Sequence, residues 1–175
     1  LVKSSAASDV YKRQAYNGER FSGWQIQPDQ RTVQGVLSDA IKNISGETII
    51  PKGSSRTDAG VHAADQVASF TTSSTYTPDV WRRALNAHLP KDVVVLRSSD
   101  VHPSFNPTTE AVTKRYRYRI HDGEVRPVLA RPFVWQWNSR LDVSAMQKAS
   151  TLLIGEHDFG SFENPSSPRA SKVRK

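Results

Sequence analysis

The chain has 175 residues, 37% of them hydrophobic, with 9 glycines and 10 prolines, which is the profile of one large or two small globular domains. It has no cysteine, which excludes disulfides, thiolate metal sites and cysteine nucleophiles, and no run approaches the ~18 apolar residues of a membrane span. The net charge of +7 sits mostly at the two ends, in Lys3, Lys12 and Arg13 and in Arg169, Lys172, Arg174 and Lys175, so the total alone says little about a nucleic-acid partner.

Residues 1–13, "LVKSSAASDVYKR", show neither helical nor strand periodicity. They are expected to lie outside the fold, as a non-native or disordered segment. No signal-peptide pattern opens the chain, and the expected setting is the cytoplasm without a membrane. From Gln14, "AYNGERFSGW" reads as a strand end, an Asn17-Gly18 turn and a return strand bearing Phe21 and Trp24. Val33, Val36, Leu37, Ala40, Ile41 and Ile44 then form one helical stripe, with Thr32 as its cap and Gly46 as its stop.

"ETIIPKG" predicts a short strand, the stretch around Asp58 a loop, and "DQVASFTT" a further strand. A second helix begins at Pro78 behind Thr77, with Val80, Trp81, Ala84, Leu85 and His88 facing inward. "DVVVLRSS" follows as a buried strand. The order strand, helix, strand, strand, helix, strand implies an α+β fold with an antiparallel or mixed sheet.

The prolines of "VHPSFNPTTEA" mark a boundary, giving subdomains at 14–104 and 105–175. In "TKRYRYRIH", a period of two puts Tyr116, Tyr118 and Ile120 on one face and Arg115, Arg117 and Arg119 on the other. "FVWQW" alternates as well, with Trp135 and Trp137 read as core. A third helix covers about Asp142 to Ile154, stopped by Gly155, and the last twelve or so residues form a turn-rich basic tail.

Two segments carry candidate chemistry. "SSRTDAGVHA" holds one carboxylate, Asp58, two residues from Arg56, with His62 and Gln66 further along the same stretch. Asp-Ala-Gly is also ordinary turn chemistry. Arg56 offers a cation that favours an ionised neighbour and a planar donor for phosphate or a base. "KRYRYR" suits a phosphate-tracking strand with stacking platforms, or simply a half-buried strand with a solvated charged face. The histidines lie singly at 62, 88, 102, 121 and 157, so no metal site is expected.

Taken together, "AYNGERFSGWQIQ", "TVQGVLSDAI", "RTDAGVHA", "ALNAHLP", "KRYRYRI" and "LLIGEHDFGSF" closely resemble, in order and spacing, the TruA family of tRNA pseudouridine synthases from Gln14 to about Phe162. The resemblance implies a pseudouridine synthase fold: two subdomains on a mainly antiparallel mixed sheet with helices packed on it, the second incomplete here. It implies a homodimer and cofactor-free isomerisation of uridine at positions 38, 39 and 40 of the tRNA anticodon stem-loop. Asp58 matches the family's catalytic aspartate, Arg56 the arginine that helps displace the flipped base, and Tyr116 the tyrosine that packs on the target base. His62, Arg115 and Arg117 are further substrate-binding candidates.

The chain departs from the family at Phe105–Thr108, "FNPT", where Phe-His-Ala-Arg is usual, and the family's later Val-Arg segment lies beyond its last residue. The expectation is a chain that is poorly active or inactive on its own. Three other readings compete. A non-catalytic RNA-binding fragment of the same fold would keep its RNA affinity when Asp58 becomes Asn. A nucleosidase-like hydrolase would need a second acid, for which Asp65 is nearest in sequence. A scaffold leaves "RTDAGVHA" unexplained.

Overall fold

The computed structural model describes residues 8–162 and 171–174. They fall into two compact units, one ending at Arg115 and the other starting at Tyr116. The division lies later than the 104/105 boundary expected from the proline-rich stretch, because that stretch stays attached to the first unit. Phe105 meets Tyr11 edge-on at 5.6 Å, and the Thr108 hydroxyl donates to the Gly53 carbonyl at 3.3 Å.

The first unit is built on four strands, β1 (Ser8–Tyr16), β2 (Lys52–Gly53), β3 (Ala63–Thr72) and β4 (Val93–Val101). Their order across the sheet is β2-β3-β1-β4, and every pairing is antiparallel. Two helices, α1 (Val33–Ser45) and α2 (Pro78–His88), complete the α+β unit. The expected chain order of strands and helices is the one observed.

The strand β1 corrects the reading of residues 1–13. Residues 8–13 belong to the inner strand of the sheet, between β3 and β4, while residues 1–7 lie outside the described residues. Its even-numbered residues Val10, Lys12, Gln14 and Tyr16 are all buried, as the two-residue pleat requires. Two of the four are polar, and that hides the alternation in the sequence. Lys12 is fully buried, its ammonium lies 4.7 Å from the centre of the Phe70 ring, and its Nζ has no hydrogen-bond partner among the described residues. Burial lowers its pKa to about 7.

The α1 stripe is as expected: Val33, Leu37, Ala40 and Ile41 are buried, with Val36 and Ile44 partly so. The Thr32 hydroxyl accepts from the Gly35 amide at 3.2 Å, and Gly46 ends the helix. In α2, Trp81 and Leu85 are buried, and Trp81 meets Phe70 edge-on at 5.0 Å. His88 is exposed, not inward, because it falls on the last turn, past the buried stripe.

"DVVVLRSS" is also corrected. Val93 and Val95 are buried, but Leu96 is 50% exposed, so only one face of β4 is covered. Asn86 of α2 clamps this strand: its Nδ2 donates to the Val95 carbonyl at 2.9 Å and its Oδ1 accepts from the Val95 amide at 2.7 Å. The clamp sits where the β1–β4 register slips, and there the ladder cannot satisfy Val95.

"NGERFSGW" contains no return strand. Residues Gly18–Arg20 form a short 3-10 turn, and Phe21 and Trp24 reach the core from irregular chain. β3 takes the place beside β1 that a hairpin partner would have filled. "ETIIPKG" contributes only the two residues of β2.

The second unit holds β5 (Ile120–Asp122) parallel to β6 (Trp135–Trp137), helix α3 (Val143–Thr151), and β7 (His157–Asp158) paired with β8 (Val173–Arg174). The Asp142 carboxylate caps α3 by accepting from the Ala145 amide at 2.8 Å. The helix stops three residues short of the expected Ile154. The expected long strand over "TKRYRYRIH" shrinks to β5, because pairing with β6 starts only at Ile120. Trp135 and Trp137 meet edge-on at 5.5 Å but are not core, Trp135 being 55% exposed. Of the basic tail, residues 163–170 and 175 lie outside the described residues. No helix among the described residues is long and apolar enough to cross a membrane.

Candidate active site

Residues 54–62 join β2 to β3 as an irregular loop, and the sheet holds its first half from below. The Ser54 amide donates to the Val67 carbonyl at 2.8 Å. Gln66, buried on β3, donates from Nε2 to the Ser55 carbonyl at 2.8 Å and accepts at Oε1 from Gln14 Nε2 at 3.0 Å. The Tyr16 hydroxyl and the Thr57 hydroxyl are 2.9 Å apart. Burial pushes the Tyr16 phenol above its ordinary pKa, against the pull of that bond.

The second half is gripped by residues 18–24. The Trp24 amide donates to the Thr57 carbonyl at 2.9 Å, and the Gly60 amide donates to the Phe21 carbonyl at 3.1 Å. Between them the Val61 amide closes a turn on the Asp58 carbonyl at 3.2 Å. The Gly18 amide donates to His62 Nδ1 at 3.2 Å. Two glycines let the segments touch backbone to backbone. A Cβ on Gly23 would lie 2.6 Å from the Thr57 oxygen, and one on Gly18 would collide with the Val61 carbonyl.

Thr57 is thus tied down, while Arg56 and Asp58 on either side of it are exposed. The two do not pair. Neither makes an ion pair or a side-chain hydrogen bond among the described residues, so Arg56 does not hold the Asp58 carboxylate in the way the sequence reading allowed. A rigid backbone that presents an uncommitted carboxylate and an uncommitted guanidinium suits a ligand that binds between or across them.

Among the candidates, the structure gathers Arg56, Asp58 and His62 on this one loop. Arg115 is exposed and ends the first unit, while Lys114 beside it donates from Nζ to the Ser54 carbonyl at 3.0 Å, at the start of the loop. Tyr116 and Arg117 open the second unit, both exposed, Tyr116 by 75%. Among the described residues no group of three His, Asp or Glu could hold a metal ion. Gln66 supports the loop from β3, through its bonds to the Ser55 carbonyl and Gln14. Sequence reasoning missed Gln14, Tyr16 and Thr57, and its one usable signal was parity: Gln14 and Tyr16 share the inward face of β1.

A family model described as tRNA pseudouridine synthase matches residues 13–107. The chain is 44% identical over 161 residues to tRNA pseudouridine synthase A of Halalkalibacterium halodurans, covering 91% of this chain and 61% of that protein. It is 44% identical over 160 residues to the protein of the same name from Brevibacillus brevis and 41% identical to that of Caldicellulosiruptor saccharolyticus, in each case over 91% of this chain and 66% of the relative. The chain therefore spans somewhat less than two thirds of the length of these relatives. The match runs through the sheet, α1 and the whole Asp58 loop, and the chain belongs to the tRNA pseudouridine synthase family.

Proposed function

We propose that this chain carries the catalytic portion of a synthase that converts uridine to pseudouridine at positions 38, 39 and 40 of the tRNA anticodon stem-loop, with Asp58 as the reacting carboxylate. The observation that carries the proposal is the Asp58 loop: its backbone is pinned on both sides, while its acid and its arginine make no ion pair or side-chain hydrogen bond among the described residues. The reaction breaks the bond from uracil N1 to the ribose C1′ and forms one from C5 to C1′. The proton on C5 leaves to solvent and N1 gains one, so the conversion is balanced without oxidant, reductant or added water.

One carboxylate is enough for such a reaction, as a nucleophile at C1′ or as a base on the sugar. Arg56 suits the gap and phosphates left when a nucleotide is turned out of a stem, a step that costs a few kcal/mol. His62 is held by Gly18 at the edge of the same loop. Tyr116 is assigned to stacking on the target base, and Arg115 and Arg117 to its phosphates. A homodimer that offers basic surface to one tRNA, working in the cytoplasm without a cofactor, completes the reading.

The test uses anticodon stem-loop transcripts with a single uridine at 38, 39 or 40, and maps pseudouridine by carbodiimide modification and primer extension. Product at these positions supports the assignment. Product only elsewhere in the RNA would overturn the site, and RNA binding without product that is indifferent to Asp58→Asn would favour a non-catalytic RNA-binding role.

A further inference from the structure

The turn at Gly18–Arg20 has two sides. One supports the Asp58 loop through Gly18 and His62. The other, with Asn17, Arg31 and the stretch Pro90–Asp92, lines a cavity of about 330 Å³. The Asn17 amide donates to the Asp92 carbonyl at 2.9 Å and joins the two walls.

Arg31 is the fixed part of this cavity. Its guanidinium makes two bonds of 2.9 Å to the Asp92 carboxylate, donates to the Arg20 carbonyl at 3.3 Å, and lies 4.0 Å from the centre of the Phe21 ring. The hydrogen bond from Arg31 holds the Asp92 carboxyl below its usual pKa, with Arg20 adding a smaller pull, so the Asp92 charge is already matched.

Two cations remain. Arg20 and Lys91 are exposed, reach the cavity from separate segments, and make no ion pair or side-chain hydrogen bond among the described residues. The opposing charge is Glu19, also exposed. With Arg31 matched to Asp92, the lining keeps two cations against the one carboxylate of Glu19, an excess of positive charge that favours an anion there.

We propose that this cavity binds a backbone phosphate of the RNA substrate through Arg20 and Lys91, while Asp58 engages a nearby uridine. The proposal rests on the RNA-directed function given above. Phe21 links the two places: its carbonyl accepts from Gly60 of the Asp58 loop, and its ring lies under Arg31. A strand crossing the Gly18–Arg20 turn passes from one to the other.

The test measures binding of a fluorescent anticodon stem-loop RNA by anisotropy across a salt series, with the whole chain. Arg20→Ala/Lys91→Ala is expected to weaken binding about tenfold at low salt and to reduce the slope of log affinity against log salt by about 1, the signature of one lost phosphate contact. Glu19→Gln is expected to strengthen binding. Arg82→Ala/Arg83→Ala on α2 removes the same charge elsewhere and is expected to leave the slope nearly unchanged. Equal losses in the two double variants, or no loss in the first, would overturn the cavity as a phosphate site. A wild-type chain that binds no RNA at any salt would instead overturn the RNA-directed function and this proposal with it. Both cations are exposed, so an unchanged circular dichroism spectrum is expected to accompany the loss.

Discussion

Gly23 lies directly against the Thr57 carbonyl, in a backbone conformation with φ of +85°, and the amide after it donates to that same carbonyl. A "GWQ" stretch and an "RTDAG" stretch far apart in sequence are therefore one structural object. The residue beside Asp58 is placed by a contact that only glycine permits.

Gly23→Ala meets both the unfavourable φ and backbone atoms of Thr57, Asp58 and Ala59. The expected cost is about 2–3 kcal/mol in urea unfolding, with a further loss of turnover as the loop shifts. Gly60→Ala makes the contrast. Its φ of +79° is also unfavourable, but nothing lies within 4 Å of the added carbon, so about 1–2 kcal/mol is expected. Equal costs would show that the close approach to Thr57 does not matter.

Gln34 of α1 performs a similar task from the helix side. Its Oε1 accepts from the Ile26 amide at 2.9 Å, its Nε2 donates to the Pro51 carbonyl at 2.9 Å, and the side chain is buried. Gln34→Leu leaves both backbone groups unpaired, and about 2–4 kcal/mol of stability should be lost in denaturant unfolding. A loss under about 0.5 kcal/mol would mean that water replaces both bonds.

Lys12 makes a pH prediction. Its folded pKa, about 7, is below its unfolded value, so between the two the unfolded chain binds a proton that the folded chain does not. The penalty is fully present below pH 7, is relieved as pH rises, and is gone near the ordinary lysine value. Stability of the wild type should therefore increase from pH 7 to pH 9, as read by urea midpoints. Lys12→Met should be more stable at pH 7 by a few kcal/mol and should show less of this rise. A variant no more stable than wild type would show that the amine reaches water.

Legibility followed physical cause. The α1 stripe could be read because a 3.6-residue period survives wherever one face is apolar. β1 could not, since Lys12 and Gln14 stand where the pleat calls for apolar side chains. Phe21 and Trp24 suggested a strand, yet they are buried from irregular chain that the Thr57 and Gly60 bonds hold in place. The alternation of "KRYRYR" imitates a strand, but β6 supplies a partner only from Ile120 onward. At the candidate site, the loop and its charged residues were visible in "SSRTDAGVHA". The supports were not, because Gln14, Tyr16, Gly23 and Gln66 come from other segments.

The most direct measurement is tritium release from 5-tritiated uridine in an anticodon stem-loop transcript, with protein in excess over RNA so that even slow conversion registers. Wild-type chain and Asp58→Asn run side by side, with RNA binding followed in the same samples. Slow release is expected from the wild type, none from Asp58→Asn, and equal RNA affinity for the two. Equal release from both, or free uracil in place of pseudouridine, would contradict it.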